Sequence, residues 1–155
     1  SELSNCRAGV EWHQLHHSAA RTLSEGLKQM GLLEGRTDDI LDSGAIALFF
    51  PHGVGHFVGL RVRDTGCLEN KTPKKHCGVT LRIDLRLEER HLVTVEPGCY
   101  FIEGLLNNSE ARMKFSEFVK FDQLEPWMQI GGVRIEDDIL ILNDGYENLT
   151  NEIPK

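Results

Sequence analysis

The hydrophobic period of the chain changes once, near Ala45, and this change restricts the fold more than any other feature. Before it, apolar residues recur at steps of three and four between polar residues, which predicts an amphipathic helix from Val10 to Met30 that ends at Gly31. A shorter helix is predicted from Thr37 or Asp38 to about Ser43, since Thr and Asp cap helices well and a glycine follows.

After Ala45 the sequence becomes strand-like. The predicted strands are "AIALFF", "FVGLRVRD", "HLVTVEPGCYFI", "GGVRIEDDILIL" and "YENLT". The polar stretch from Thr65 to about Ile83 is predicted to be a loop, and residues 104–129 are predicted to be helical or irregular. Helices followed by strands that look antiparallel predict an α+β fold rather than a parallel doubly wound sheet. The length of 155 residues favours a single domain.

Charge and composition exclude some classes of partner. The formal net charge is -7 with no cluster of lysines or arginines, which argues against nucleic acid or an anionic membrane and favours a cationic ligand such as a metal ion. No apolar run approaches the roughly 20 residues of a membrane span, and the first residues show no signal peptide. The four cysteines form no Cys-x-x-Cys pair. We therefore expect a cytoplasmic protein with reduced cysteines.

Histidines occur in two places with different predicted roles. His13, His16 and His17 lie on the polar side of the first predicted helix, where we expect them to face solvent. His52 and His56 lie four residues apart in "PHGVGHFVGLRVRD", on a loop where glycines alternate with them. The second pair is therefore the better candidate for chemistry.

Two glutamates stand next to apolar strands. Glu96 ends the alternation "HLVTV", and Glu136 lies between Ile135 and the apolar "ILIL". A carboxylate drawn into a core is costly unless it is paired or bound to a metal. Together with a histidine, the two predict a metal site with oxygen and nitrogen ligands. Arg134 is close enough in sequence to be the ion-pair partner of either glutamate, and this simpler alternative stays open.

The three segments "FFPHGVGHFVGLRVRDTG", "LVTVEPGCYFI" and "GGVRIEDDILI" resemble the prolidase and aminopeptidase P group of metallopeptidases. The resemblance continues through the first helix, "GVEWHQLHHSAARTLSEGLKQMGLLEG", and so covers nearly the whole chain. It implies a partial pita-bread fold, with a mostly antiparallel curved sheet and flanking helices. Residues 1–155 are then expected to be the C-terminal part of a catalytic domain that hydrolyses Xaa-Pro peptides with a water activated by divalent metal.

The resemblance also assigns roles to residues. It implies that His56, Glu96 and Glu136 bind metal, commonly two Mn²⁺ ions per site in the family, and that Glu96 is also the general acid/base. It places His52 beside the substrate, with a catalytic role as well. Arg82 falls where prolidases bind the substrate carboxylate, and we add Arg63 and Arg134 to the expected substrate-binding residues.

The chain departs from the family pattern at two points. The two metal-binding aspartates that precede the histidine have no counterpart, because the only aspartates before His56 are Asp38, Asp39 and Asp42, in or beside the short helix. With three ligands left, we expect one Mn²⁺ ion or none in this chain alone. Arg63 replaces a family histidine, and arginine cannot accept a proton. We expect it to pair with a nearby acid, although binding an oxyanion or a substrate carboxylate stays open.

Three functions remain open. The first is a prolidase-like metallopeptidase that is incomplete alone and acts on an Xaa-Pro dipeptide or another proline-containing peptide. Because half of a pita-bread fold leaves an uncovered edge, it is expected to form a homodimer or to bind a complementing chain. The second is a pseudoenzyme that binds a peptide or a protein without cleaving it. The third is a hydrolase with one zinc ion held by the same three ligands.

Overall fold

The computed structural model describes residues 2–64 and 74–154, so the first part of the loop predicted from Thr65 to about Ile83 lies outside the described residues. The described remainder is not all loop, because it carries the paired strands Lys75–His76 and Val79–Thr80. Five α-helices are described: α1 (Trp12–Gln29), α2 (Thr37–Ser43), α3 (Glu103–Leu106), α4 (Ser109–Lys114) and α5 (Glu125–Met128). Three 3-10 helices cover Glu2–Asn5, Ala45–Leu48 and Phe121–Gln123. The strands are β1 (Lys75–His76), β2 (Val79–Thr80), β3 (Leu92–Val95), β4 (Gly98–Tyr100), β5 (Gly132–Arg134), β6 (Asp137–Leu142) and β7 (Gly145–Asn148).

Helix α1 forms as the periodicity predicts. Its apolar side is buried, and Gly31 follows its end with a positive φ of 74°. The predicted helix α2 is also confirmed and ends at Gly44, which has a φ of 79°. A Cβ at Gly44 would lie 2.9 Å from the Cα of Gly78, so the turn between β1 and β2 packs backbone against backbone on the end of α2.

The strands form three small antiparallel sheets in the described part of the chain. One has the order β3-β6-β7, and the other two are the pairs β4-β5 and β1-β2. In the first sheet Val93 pairs with Ile139 and Val95 with Asp137, while in the second Gly98 pairs with Arg134. The same two chain segments, residues 92–100 and 132–140, therefore pair first in one sheet and then in the other. The point where they pass between the two sheets positions the site. The predicted α+β class is confirmed.

Two predicted strands are wrong. The segment "AIALFF" contains a 3-10 helix at Ala45–Leu48, and all six residues except Ala47 are buried. A short buried apolar run is compatible with a helical turn as well as with a strand, so the pattern alone could not distinguish them. "FVGLRVRD" forms no described strand, since Phe57 makes only isolated bridges to Asp64 and Val93. The side chains of Leu60 and Val62 are exposed, so the apparent alternation does not mark a core face.

One histidine prediction is also wrong. His16 is fully buried and packs its ring 5.1 Å from that of Phe50, whereas His17 is exposed as predicted and His13 is half-buried. Burial lowers the pKa of His16 to about 4, against a smaller raising contribution from the backbone of His76. None of the described groups completes a hydrogen bond of normal geometry to either ring nitrogen of His16. It is therefore a core residue.

No helix in residues 2–64 or 74–154 has the length and the apolar character required to cross a membrane. Cys6, Cys77 and Cys99 form no disulfide within the same ranges, and Cys67 lies outside them.

Candidate metal centre

The loop at residues 54–58 lies against strand β3 and brings His56 to the end of that strand. The backbone N–H of Thr94 donates to the His56 carbonyl at 2.8 Å, and that of Glu96 donates to the Val54 carbonyl at 2.7 Å. A Cβ at Gly55 would lie only 1.9 Å from the Thr94 carbonyl oxygen. Glycine is therefore required at position 55 for this approach, which explains the glycine before the second histidine of the motif.

The second glutamate arrives from the neighbouring segment. Val95 pairs with Asp137 in one sheet and Gly98 pairs with Arg134 in the next, so Glu96 and Glu136 lie where the two segments pass from one sheet to the other. The Ile135 N–H donates to the Pro97 carbonyl at 3.2 Å and holds this crossing. The backbone register thus brings together two carboxylates that are 40 residues apart in sequence.

His56, Glu96 and Glu136 form one cluster, the His–Glu–Glu group. Each offers a ligand atom, and these atoms all lie within 4.8 Å of one another. Nε2 of His56 is 3.4 Å from Oε1 of Glu96, and both side chains are buried, while Glu136 is 39% exposed. The sequence prediction that these three side chains converge therefore agrees with the geometry.

The hydrogen bonds of His56 indicate which of its nitrogens is free. Nδ1 is 2.9 Å from the carbonyl oxygen of Phe57, which can only accept, so Nδ1 carries hydrogen. Nε2 then directs either a lone pair or a proton at the Glu96 carboxylate. The lone pair would bind a cation placed between the two groups, whereas the proton would form an ion pair with Glu96, so this edge of the group can hold a cation when Nε2 carries no hydrogen.

Thr94 and Arg134 hold the glutamates in place. The Thr94 hydroxyl donates to Oε1 of Glu96 at 3.2 Å and accepts from the His56 N–H at 3.0 Å. The guanidinium of Arg134 lies 3.5 Å from Glu96 and 3.2 Å from Glu136, with one terminal nitrogen toward each. Arg134 thus pairs with both glutamates of the cluster, as the simpler alternative predicted. Its single positive charge offsets only part of the negative charge of the two carboxylates.

His52 is oriented by a residue that the sequence reasoning missed. Its Nδ1 lies 2.8 Å from the Gly53 carbonyl and its Nε2 lies 2.9 Å from the Tyr100 hydroxyl. Nδ1 therefore carries hydrogen, and in the neutral ring Nε2 accepts from the phenol. Burial raises the pKa of Tyr100, so this phenol keeps its proton. The available signal was the aromatic residue two positions after Gly98 in "EPGCY".

A small cleft of about 180 Å³ collects the predicted substrate-binding residues. It is lined by His52, Gly53, Gly55, His56, Arg63, Arg82, Glu96 and Arg134. All four expected substrate-side residues thus face one space beside the His–Glu–Glu group. No carboxylate in the described part of the chain lies within 4.0 Å of the Arg63 guanidinium, so the expected pairing of Arg63 with an acid is not seen there.

Comparisons with known proteins agree with this geometry. The sequence model of metallopeptidase family M24 matches residues 2–143. A probable Xaa-Pro aminopeptidase of Botryotinia fuckeliana is 38% identical over 151 residues, which cover 97% of this chain and 33% of that protein. Another, from Leptosphaeria maculans, is 43% identical over 148 residues, which cover 93% of this chain and 26% of that protein.

Solved structures show the same relationship in three dimensions. Zinc-substituted Escherichia coli aminopeptidase P in complex with product matches with a TM-score of 0.74 and 28% identity, over 99% of this chain and 29% of that chain. Proline aminopeptidase P II from Yersinia pestis matches with a TM-score of 0.73 and 27% identity over the same shares. The predicted pita-bread fold is confirmed. The chain spans about a third of the length of the relatives it matches.

Proposed function

We propose that this chain, which belongs to metallopeptidase family M24, contributes His56, Glu96 and Glu136 to a divalent-metal site that hydrolyses Xaa-Pro peptides. Residues 1–155 form the C-terminal part of that catalytic domain in this proposal. The observation that carries it is the convergence of the three ligand atoms within 4.8 Å beside a cleft lined by arginines.

The donor set fits a hard or borderline divalent ion. Two carboxylates and one imidazole suit Mn²⁺, and the Nδ1–H of His56 bonded to a backbone carbonyl is the arrangement that orients a metal-binding histidine. Such an ion supplies Lewis acidity that lowers the pKa of a water and polarises a carbonyl. His56, Glu96 and Glu136 are the residues of this chain that would hold it.

The remaining roles belong to side chains around the cleft. Glu96 is buried beside the ligand atoms and is the group placed to accept and return a proton. His52, held by Tyr100, contacts the substrate. Arg63, Arg82 and Arg134 bind the free carboxylate of an Xaa-Pro dipeptide or a short proline-containing peptide, because a guanidinium fork matches both carboxylate oxygens.

The number of ligands sets what this chain does alone. Residues 2–64 and 74–154 bring only three ligand side chains to this point. We infer that the 155 residues bind at most one Mn²⁺ ion and cleave no peptide alone, and that a homodimer or a complementing chain completes the site. The exposed Val133 and Ile135, on either side of Arg134, support an apolar contact surface there.

A pseudoenzyme is the second candidate, and two observations favour it. Arg134 already offsets part of the charge of both glutamates, and Arg63 cannot take up a proton where the family has a histidine. In this alternative the cleft binds a proline-containing peptide and does not hydrolyse it.

Calorimetric titration of the chain with MnCl₂ tests the proposal. We expect one Mn²⁺ per chain and a loss of affinity of at least tenfold in Glu136→Gln, with no change in Glu147→Gln, an exposed glutamate on β7. Equal binding by Glu136→Gln refutes the assignment of the ligands.

Hydrolysis assays with an Xaa-Pro dipeptide and an Xaa-Pro-Xaa tripeptide then separate the functions. Turnover by the 155 residues as a monomer, checked by sedimentation at the assay concentration, shows that the inferred need for a second chain is wrong. Peptide binding without Mn²⁺ uptake and without turnover supports the pseudoenzyme. Preference for the tripeptide over the dipeptide assigns aminopeptidase rather than dipeptidase specificity.

A further inference from the structure

A second cluster of metal-ligating side chains lies outside the M24 site. His13, His76 and Asp84 each offer one ligand atom, and these atoms lie within 4.8 Å of one another. We name this cluster the His–His–Asp group. It shares no residue with the cleft described above, and no role in the proposed peptide hydrolysis requires it.

We propose that the His–His–Asp group binds Zn²⁺ and fastens α1 to the β1–β2 hairpin. Two imidazoles and one carboxylate form a donor set that suits zinc, whereas Ca²⁺ and Mg²⁺ prefer oxygen ligands alone. Three protein ligands leave the fourth tetrahedral position open to water. The proposal does not depend on the proposed function.

The distances within the group fit a zinc site. Nδ1 of His13 lies 3.6 Å from Oδ1 of Asp84, and Nε2 of His76 lies 3.4 Å from Oδ2. Zinc bonds of about 2.0–2.2 Å in tetrahedral geometry place neighbouring ligand atoms roughly 3.4 Å apart. The imidazole rings stack with their centroids 4.9 Å apart and their planes within 11°. Each ring thus has a nitrogen near one oxygen of the same carboxylate, and the two stacked rings must turn toward each other to share one ion.

The backbone holds the three ligands at these distances. The Trp12 N–H donates to the Leu85 carbonyl at 2.9 Å, which fixes the start of α1 beside Asp84. The hairpin that carries His76 is fixed separately by the close packing of its Gly78 on Gly44. A site whose ligands are placed by independent contacts loses little conformational entropy when it binds an ion.

The group is accessible, and the described charged residues that line the cavity around it carry no excess of negative charge. His13 and His76 line an open cavity of about 820 Å³ together with His17, one helical turn from His13. The side chains of the group are between 22% and 38% exposed, so an ion reaches them from solvent. Lys75 and Lys114 also line the cavity, as does Asp42. Affinity must therefore come from the ligands themselves rather than from a local negative field.

The simpler alternative is a hydrogen bond between His76 and Asp84 that has no affinity for metal. Imidazole NMR of the unaltered chain decides between them. On titration with ZnCl₂ we expect the ring nitrogens of His13 and His76 to shift together and to reach their limit at one equivalent for this site, while His17 does not follow. Rings of His13 and His76 that stay unshifted at excess Zn²⁺ overturn the proposal, whether or not His56 shifts.

Calorimetry with His13→Ala gives the second measurement. The side chain of His13 is 38% exposed, so we expect its removal to leave the fold intact. We expect the Zn²⁺ affinity of this step to fall at least tenfold, against less than threefold for His17→Ala on the same helix. An unchanged affinity in His13→Ala overturns the proposal. Loss of Mn²⁺ binding in Glu136→Gln concerns only the M24 site, so the two proposals fail independently.

Discussion

The His–Glu–Glu group and the His–His–Asp group are built from similar side chains but differ in how the fold holds them. The first has a buried histidine and a buried glutamate at the crossing of two sheets, with a guanidinium on both carboxylates. The second is half-buried, has one carboxylate, and joins a helix to a short hairpin. A buried carboxylate with a second one beside it requires a counter-charge, whereas a single, partly solvated carboxylate can rely on water.

The first group therefore lies inside closely packed structure, whereas the side chains of the second lie at an open cavity where water reaches them. The backbone at residues 54–58 contacts β3 so closely that a methyl group cannot be added at Gly55. We therefore expect changes at the His–Glu–Glu group to cost stability, and changes at the His–His–Asp group to alter metal binding with little effect on stability.

The largest expected effect is that of Gly55→Ala. Its Cβ would lie 1.9 Å from the Thr94 carbonyl oxygen, a backbone atom that cannot move without breaking the contact with β3. We expect a loss of about 3 kcal/mol or more in the free energy of unfolding, measured by urea denaturation. Gly26→Ala in α1 is the control, since no described atom outside the backbone of its own helix would lie within 4 Å of its Cβ, and it should stabilise by about 0.5–1 kcal/mol. A small loss in Gly55→Ala would show that the loop is not closely packed.

His16 lies in a third environment, fully buried with no carboxylate in contact among the described residues. Because burial lowers its pKa from 6.5 to about 4, the folded chain binds fewer protons than the unfolded chain between these values. The free energy of unfolding therefore rises with pH in this window, and the contribution is lost as the pH falls from 6.5 towards 4. The shift corresponds to at most about 3 kcal/mol.

His16→Leu tests this directly. The variant should lose less stability than the unaltered chain between pH 6.5 and pH 4, as measured by urea denaturation at several pH values. His17→Leu, an exposed histidine on the same helix, should keep the original pH dependence. Equal pH dependence in His16→Leu and in the unaltered chain would mean that His16 is protonated in the fold.

Arg134→Met removes the counter-charge of the His–Glu–Glu group. Glu96 is then buried without a guanidinium, but Arg134 itself is 43% exposed, so solvent screens part of the interaction. We expect a loss of about 1–2 kcal/mol without metal, and partial recovery of the melting temperature when MnCl₂ is added. Arg86→Met is the matched control, because Arg86 pairs with Glu11 at the surface, and it should cost nothing measurable. No loss in Arg134→Met would mean that the glutamates need no counter-charge.

Asp84→Asn should have the smallest effect on stability. Asp84 lies 3.4 Å from His76 and 3.6 Å from His13 in a half-buried site, so an amide replaces it at a cost of about 0.5 kcal/mol or less. Thermal denaturation without metal measures this cost. If the loss equals that of Arg134→Met, the two groups do not differ in the way described above.

The sequence predicted those parts of the fold in which a single pattern decides the structure. Trp12–Gln29 and Thr37–Ser43 are helical because the apolar period and the glycines at their ends agree. Ala45–Leu48 was predicted to be a strand because a short run of buried apolar residues fits both structures. Leu60 and Val62 alternate without facing a core, so their pattern was misleading.

The three side chains of the His–Glu–Glu group could be named from the sequence, but the residues that orient the site could not. A histidine between glycines and two glutamates beside apolar strands are visible in sequence, and the resemblance assigned them to one site. Thr94 and Tyr100 orient this site, but their types are ordinary in strands, and only the cross-strand register shows what they contact. His16 was misplaced because histidine is polar and helical spacing alone does not reveal its packing on Phe50.

Paramagnetic NMR with Mn²⁺ tests most directly whether His56, Glu96 and Glu136 form one cation site. At substoichiometric MnCl₂ we predict that the amide signals of residues 54–57, 94–97 and 134–137 broaden first and together, and that Glu136→Gln weakens this broadening at the same Mn²⁺ concentration. Broadening centred elsewhere in the chain, or none at all, would contradict a metal centre at this crossing of the two sheets.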